Sequence, residues 1–121
     1  MESGQGAELR ERAFEFACAV IALHRYIYTE AGWLRQTSGQ AMKAAGSIGA
    51  NLEEADAAQS RADFISKCTI SLKEARESRY WLRVLCRVFP PSRDRIEPLI
   101  AEATELVAIL TTIVRKTRER K

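Results

Sequence analysis

The chain has 121 residues, of which 46% are hydrophobic and 29% are charged, and its formal net charge is +3 at pH 7. This length suits a single domain that builds its core without disulfides or metal. The sequence shows no long apolar run and no charged-then-apolar leader, so we expect neither a membrane span nor a signal peptide, and we expect a cytoplasmic protein.

Residue usage predicts an all-helical chain. Glycine is sparse, the three prolines fall at or beyond residue 90, and Ala, Leu, Glu and Arg are abundant, which is typical of helices. The three cysteines (Cys18, Cys68 and Cys86) are odd in number and lack CxxC spacing, which argues against a disulfide framework or a zinc site. Each lies in an apolar helical pattern, so we expect buried, reduced thiols.

Charge is divided unevenly between the two halves. Residues 1–60 hold 5 Lys/Arg and 8 Asp/Glu, whereas residues 61–121 hold 14 and 8. The end of the chain concentrates cations, among them Arg115, Lys116 and Arg118. Such a cluster can bind phosphate groups. Cations at a helix C-terminus also complement the helix dipole, and this is the commoner case.

The first part of the chain predicts a short irregular segment and then a helix. Residues 1–8 lack periodicity and are expected to be disordered, and a helix is expected over residues 9–29. One face of this helix carries Phe16, Val20, Leu23 and Ile27, with Phe14, Ala17, Ile21 and His24 beside them. We interpret His24 as a helix-face histidine, because no second ligand stands at metal-binding spacing. Gly32 is expected to end the helix in the left-handed conformation.

A second helix is predicted over residues 33–57. Its apolar register is Ala41, Ala45, Ile48, Leu52 and Ala55, which alternates steps of four and three. Gly46 and Gly49 are costly inside a helix, so we expect a neighbouring backbone to pack tightly there. A glycine-rich phosphate loop is rejected, because the stretch has no preceding strand and matches no phosphate-binding pattern.

Carboxylates at the end of this helix raise the question of a metal centre. Glu53, Glu54 and Asp56 are close together, but a di-metal bundle needs Glu-x-x-His motifs on two helices, and His24 is the one histidine of the sequence. We therefore expect no metal and no cofactor. We expect Asn51 and Glu54 to form a structural polar cluster with Glu77 of the next helix, because an unpaired carboxylate beside an apolar face is costly.

The third helix, predicted over residues 61–89, is the centre of the expected fold. Ser60 followed by Asp63 predicts a variant capping box at its start. At about 100° per residue, a narrow arc collects basic side chains, and apolar residues occupy the rest of the circumference. The basic arc comprises Lys73, Arg76, Arg79, Arg83 and Arg87. A single core covers a stripe of only about 100°, so we expect this helix to be covered from two directions, by its own bundle and by an assembly partner.

On the side of the third helix away from the basic arc, residues spaced by alternating steps of four and three form a heptad track. The first half of this track is polar. We call this polar half the seam, and its members are Lys67, Ser71, Glu74 and Ser78. Polar residues in such a track set register or partner choice. The alternative is that these side chains reach solvent, because this side of the helix is less covered by other helices than we expect.

A fourth helix is predicted over residues 93–118, with residues 119–121 as a basic tail. Pro90 and Pro91 break the third helix, and Ser92 offers an N-cap. Because Pro98 lies deep for a first turn, residues 92–97 are expected to form a separate short turn. Short connections make neighbouring helices antiparallel, which predicts an all-α, up-down-up-down four-helix bundle over residues 9–118.

The end of the second helix carries a recognisable motif. Ser47, Ile48, Asn51, Leu52 and Glu54, with Phe64 and Glu77 further on, resemble the family of four-helix bundle proteins whose founding members are encoded by intervening sequences in bacterial 23S rRNA genes. The run from Lys73 to Leu82 is similar to one branch of that family. Ala55 departs from the pattern, because many members have glycine there.

The resemblance implies a left-handed bundle that assembles into a ring-shaped homopentamer. A related protein, the accessory protein of diversity-generating retroelements, has a basic surface and associates with a reverse transcriptase and nucleic acid. We therefore expect a non-enzymatic homo-oligomeric scaffold that contacts RNA or an RNA-handling protein through the basic arc and tail. The alternative is an assembly or protein-partner module without a nucleic-acid role. An enzyme is not expected, since Asn51, Glu54, Glu74 and Glu77 lack a nucleophile–base pair, a metal motif or a cofactor loop.

Overall fold

Residues 3–120 are described by a computed structural model and form four α-helices joined by short connections. The helices are α1 (Ser3–Glu30), α2 (Arg35–Asp56), α3 (Arg61–Val88) and α4 (Arg93–Glu119). Short 3₁₀ turns at Gly32–Leu34 and Pro90–Ser92 precede α2 and α4. Each helix packs beside the next, and α4 returns to α1 with a sparser contact. The all-α four-helix bundle predicted from the sequence is thereby confirmed.

On α1 and α2 the core follows the predicted helical registers. On α1 Phe16, Val20 and Ile27 are at most 2% exposed, and on α2 Ile48 and Leu52 are at most 1% exposed. The matching rows of α3 and α4 are Cys68, Leu72, Ala75, Leu82, Leu85, Ile96, Ala103, Leu106, Leu110 and Val114. Small residues make up most of the buried row of α2, namely Ser38, Ala41, Ala44, Ala45 and Ala55.

Helix α1 begins at Ser3, earlier than the predicted start at residue 9. The expectation of disorder is therefore wrong for residues 3–8, while residues 1 and 2 lie outside the described residues. Gly6 is buried and Leu9 is 4% exposed. Contact with the bundle thus stabilises turns whose glycines have low helix propensity, because packing outweighs propensity at helix ends.

The prediction for Gly32 is wrong, and the prediction of close packing at Gly46 and Gly49 holds for Gly49 alone. No glycine among the described residues has a positive φ, so Gly32 is not a left-handed stop. The chain instead passes through a right-handed 3₁₀ turn, in which the Leu34 N–H donates to the Ala31 carbonyl oxygen at 2.8 Å. A Cβ on Gly46 would meet open space, whereas one on Gly49 would lie 3.6 Å from the Ala13 Cβ. Helix α1 therefore approaches α2 at Gly49 but not at Gly46.

The ends of α3 and α4 are fixed by different devices. Ser60 Oγ accepts a hydrogen bond from the Asp63 N–H at 3.0 Å, which confirms the predicted cap. Ser92 does not cap α4, because its hydroxyl donates to the Phe89 carbonyl at 2.6 Å. The separate turn predicted over residues 92–97 is also absent, since α4 runs from Arg93 through Pro98 without a break. Ile96, which is 0% exposed, anchors this first part of α4 to the core.

Candidate nucleic-acid interface and assembly surfaces

The basic arc lies on the outer surface of α3. Lys73, Arg76, Arg83 and Arg87 are exposed, and Arg79 is half-buried. Within residues 3–120 none of the five forms an ion pair. Arginine keeps its charge at all physiological pH values, so the arc presents a row of positive charges to solvent over several helical turns.

Acidic residues of α1 and α4 are the expected competitors for these charges. Glu102 is engaged elsewhere, because its carboxylate accepts two hydrogen bonds from Arg12, at 3.0 Å from Nε and 2.7 Å from Nη2. This hydrogen bonding raises the pKa of Arg12 above its ordinary value. Glu11, Glu15 and Glu105 are exposed and make no ion pair in the described part of the chain. Within one subunit the arc is thus free of acidic partners.

The basic end of α4 extends the positive surface. Arg115, Lys116 and Arg118 are exposed, while the terminal carbonyl groups of the helix are bonded by Arg61 at the start of α3. The Arg61 guanidinium donates to the Thr117 carbonyl at 3.1 Å from Nε and also to the Arg120 carbonyl. Since Arg61 satisfies these carbonyl groups, the three exposed side chains remain available for an external anion.

The predicted polar cluster of Asn51, Glu54 and Glu77 does not form. Asn51 Nδ2 donates to the Ser47 carbonyl at 2.8 Å and to Ser47 Oγ at 3.1 Å. Glu54 is exposed, and Glu77 accepts a hydrogen bond from the Trp81 indole at 3.4 Å. No hydrogen bond or ion pair within residues 3–120 joins two of the three. Bonding inside one helix replaces the expected link between helices.

The four seam residues divide between the core and the surface. Ser71 and Ser78 are 0% exposed, and their hydroxyls donate to the carbonyl oxygens of Ile48 and Glu74, both at 2.9 Å. These two serines therefore pack inside the subunit, neither reaching solvent nor lining an outer surface. Lys67 is half-buried and lies 4.0 Å from Asp63.

Glu74, the fourth seam residue, faces a groove between α2 and α3. This α2/α3 groove has a volume of about 250 Å³, and its lining consists of Gln40, Lys43, Ala44, Ser47, Glu74 and Glu77. Glu74 and Glu77 are both half-buried, and neither forms an ion pair within the described chain. The groove therefore holds two carboxylates that pair with no Lys, Arg or His side chain of residues 3–120.

A second apolar face of α1 points away from the core. We call it the α1 stripe, and it consists of Phe14, Ile21 and Tyr28, which are 58%, 50% and 60% exposed and continue into Trp33, which is 72% exposed. The sequence predicts that Phe14 and Ile21 lie beside the core face, whereas in the structure they belong to a separate surface. Their regular spacing of seven residues was the indication, because it keeps a row on one face of a helix.

Two further residues of this region bear on chemistry. Cys18, near the stripe, is exposed, so the prediction of a buried thiol is wrong for it, whereas Cys68 is buried as predicted and Cys86 is half-buried. His24 lies on the side of α1 that faces α2, with its Nδ1 in a 2.6 Å hydrogen bond to Ser38 Oγ. This contact fits a structural role for the histidine.

The described residues show no metal-binding cluster and no membrane-spanning helix, but they form one further groove. Residues 3–120 contain no group of three or more His, Cys, Asp or Glu side chains placed to hold a metal ion. None of their helices is both long and apolar enough to cross a membrane. A groove of about 470 Å³ between α1 and α4 is lined by apolar residues such as Leu9, Ile109 and Ile113.

Fold and surfaces together define a four-helix bundle whose most distinctive surfaces are an outward basic arc and exposed apolar residues on α1. The chain belongs to the family of the 23S rRNA-intervening sequence protein, whose model matches residues 6–112. A solved structure from Bacteroides thetaiotaomicron, described as a protein of unknown function from the S23 ribosomal protein family, is 37% identical. It has a TM-score of 0.82, and the match covers 88% of this chain and 98% of that one. Among curated proteins none matches this chain significantly.

Proposed function

We propose that the protein is a non-enzymatic, homo-oligomeric scaffold in the cytoplasm that contacts RNA, or a protein that handles RNA, through the basic arc. The observation that carries this proposal is the row of exposed cations on α3 with no acidic partner among residues 3–120. Phosphate groups are the anions that such a row fits, and RNA supplies them at regular intervals.

The oligomer is a pentamer in this proposal, as the family resemblance implies. Support from the chain itself comes from the α1 stripe and from Ile70 and Val88 of α3, which are 38% and 45% exposed. Contiguous exposed apolar residues mark interaction surfaces in soluble proteins. A ring repeats the basic arc once per subunit, so weak phosphate contacts on one RNA reinforce one another through effective concentration.

The contact with RNA in this proposal has little sequence preference. Tyr80, which is 55% exposed, is the aromatic residue interleaved with the arc, and one stacking platform per subunit reads few bases. Phosphate contact dominates and depends steeply on salt. An assembly module without nucleic acid is the second candidate, because the same exposed apolar residues would serve a protein partner equally well.

Binding of a labelled single-stranded RNA at low and high salt tests the proposal. We expect retention at about 50 mM salt and a loss of 10³-fold or more at about 200 mM salt, as for contacts to several phosphates. Arg76→Glu with Arg83→Glu should abolish retention while leaving the oligomer mass unchanged. The matched control is Arg35→Glu with Arg93→Glu, which alters the same amount of charge at exposed residues at the starts of α2 and α4.

Two results would contradict parts of the proposal. Wild-type protein that retains no RNA at about 50 mM salt, where phosphate contacts are strong, removes the nucleic-acid role and leaves the assembly module. A mass of 13.6 kDa by light scattering at micromolar concentration is that of one chain and removes the oligomer. The two measurements are independent, so each part is judged separately.

A further inference from the structure

One face of α1 presents a cation between apolar side chains. Ile21, Arg25 and Tyr28 are separated by four and three residues and therefore lie above one another on a single helix face. All three are exposed, and no ion pair holds Arg25 within residues 3–120. A surface that covers this face must offer apolar area with a carboxylate in its middle.

The α2/α3 groove and its rim offer this pattern with opposite charge. Along α3, Ile70, Glu74, Glu77 and Trp81 follow one another by four, three and four residues. Ile70 is 38% exposed, and the other three are half-buried. Apart from the 3.4 Å hydrogen bond from the Trp81 indole to Glu77, the two carboxylates have no polar side-chain partner in the described residues. Lys43 lines the groove from α2 but forms no ion pair with either.

We propose that the α1 stripe of one subunit docks along the α2/α3 groove of a second copy, with Arg25 inserted between Glu74 and Glu77. Both rows alternate steps of four and three, so the charged residues meet while Ile21 and Tyr28 rest on the apolar residues above and below the carboxylates. This inference rests on the proposed homo-oligomer and names the two faces that build it. Covering the groove also gives its half-buried carboxylates the cation that they lack.

Charge favours this pairing of two different faces over the pairing of either face with its own copy. An α1–α1 contact centred on the stripe would place Arg25 against Arg25, and a groove–groove contact would oppose the carboxylates of two subunits. Like charges in an interface are unfavourable, whereas opposite charges fix partner and register. Two different faces in contact form a head-to-tail interface, and such interfaces close into rings when the rotation permits.

The docked arrangement leaves the basic arc open. Arg83 is nine residues beyond Glu74, which places it about 180° away around α3 at 100° per residue. Arg76 is two residues beyond Glu74 and lies about 160° away by the same measure. Measured from Glu77, Arg76 and Arg83 lie about 100° and 120° away, whereas Lys73 lies only about 40° away and borders the docked subunit. Most of the basic arc therefore faces away from the neighbouring subunit, and both proposed contacts can exist in one ring.

A charge-swap experiment tests the docking. Arg25→Glu and Glu74→Arg, each alone, should lower the light-scattering mass from that of the oligomer to the 13.6 kDa of one chain. The double variant restores opposite charges across the interface and should recover the oligomer mass. Tyr28→Ser removes apolar contact without a charge change and should raise the concentration needed for assembly at least tenfold. Circular dichroism checks that each variant keeps its helical content.

Matched controls carry the same charge changes outside both faces. Arg93→Glu and Glu105→Arg alter exposed residues of α4 and should leave the mass unchanged. If the wild type is oligomeric and Arg25→Glu stays oligomeric, the docking is overturned while the scaffold proposal stands. Loss of assembly in both single variants without recovery in the double variant also overturns the pairing of Arg25 with Glu74. A monomeric wild type removes the homo-oligomer itself, and the docking with it.

Discussion

Burial decides the chemistry of the individual thiols. Cys68 is 0% exposed, and desolvation by this burial raises its pKa from 9.0 to about 11. The reactive form of cysteine is the thiolate, so Cys68 remains protonated and inert near neutral pH. Cys18, by contrast, is exposed and is open to alkylating reagents.

The raised pKa of Cys68 links stability to alkaline pH. Between pH 9 and pH 11 the unfolded chain loses the Cys68 proton before the folded chain does. This contribution to stability is therefore complete below pH 9 and is lost as the pH rises, by at most about 1.4 kcal/mol per pH unit. The difference in unfolding free energy between wild type and Cys68→Ala, the gap, can be measured by urea unfolding. This gap should narrow from pH 8 to pH 10.5. The control is Val20→Ala, a change at a buried residue without an ionisable side chain, and its gap should stay constant.

Two polar residues of the α2 and α3 region should differ sharply in their effect on stability. Ser71 is 0% exposed and bonds the Ile48 carbonyl of α2, so Ser71→Ala should lower the free energy of unfolding by about 1 kcal/mol. Glu54 is exposed, so Glu54→Ala should change it by no more than about 0.5 kcal/mol. Denaturant unfolding at one fixed protein concentration measures both. A larger cost for Glu54→Ala would mean that Glu54 belongs to a buried network after all.

The sequence predicted buried rows well and polar contacts poorly. Helical spacing identifies the row of Val20 and Ile27, because apolar area at that period must be covered. It does not show that Ser71 is buried, since a serine enters a core only where a carbonyl such as that of Ile48 accepts its hydroxyl. Cys18 was assigned to the core for a related reason: periodicity reveals apolar faces but not which of two faces packs within the subunit.

At the level of helices, the apolar register predicts the middle of each helix, whereas tertiary contacts determine where the helix begins and ends. The four helices were predicted because their apolar registers continue over many turns, but α1 starts at Ser3 because Leu9 is covered by the bundle. Pro98 did not end a turn as predicted. Proline removes one hydrogen bond to the carbonyl four residues earlier, and the burial of Ile96 holds the helix through that loss.

The N-cap of α3 should contribute measurably to stability. Ser60 Oγ bonds the Asp63 N–H at 3.0 Å, and loss of such a cap costs about 0.5 to 2 kcal/mol. Ser60→Ala should therefore lower the midpoint of urea unfolding. Ser66→Ala, an exposed serine within the same helix, is the matched control and should leave the midpoint unchanged or raise it slightly, since alanine is the better helix former. Equal effects of the two variants would show that the cap contributes nothing.

Across the whole molecule, closure of the bundle is uneven. Helix α1 packs closely on α2 but meets α4 more sparsely, and the groove of about 470 Å³ lies between α1 and α4. The sequence predicted which helices are neighbours, because short connections leave little choice. It did not predict how tightly the first and last helices pack, since they are joined by no connection and meet only through side chains.

The Arg12–Glu102 pair is an ion pair across this sparse contact, and a double-mutant cycle measures its contribution. The guanidinium and carboxylate form two hydrogen bonds of 3.0 and 2.7 Å, but their side chains are 39% and 30% exposed. Solvent screening at that exposure limits the expected coupling energy to about 1 kcal/mol.

The cycle compares wild type with Arg12→Ala, Glu102→Ala and the double variant by urea unfolding. All four proteins are measured at one concentration, because assembly makes stability concentration-dependent. The coupling should fall at about 1 M salt, where charges are screened within about 3 Å. Arg93 and Glu97, a more exposed pair at 3.6 Å within α4, provide the control cycle and should give the smaller coupling. A coupling near zero for Arg12 and Glu102 would mean that this ion pair does not help to close the bundle, which would then depend on apolar contacts and on the Arg95 guanidinium over the Tyr26 ring.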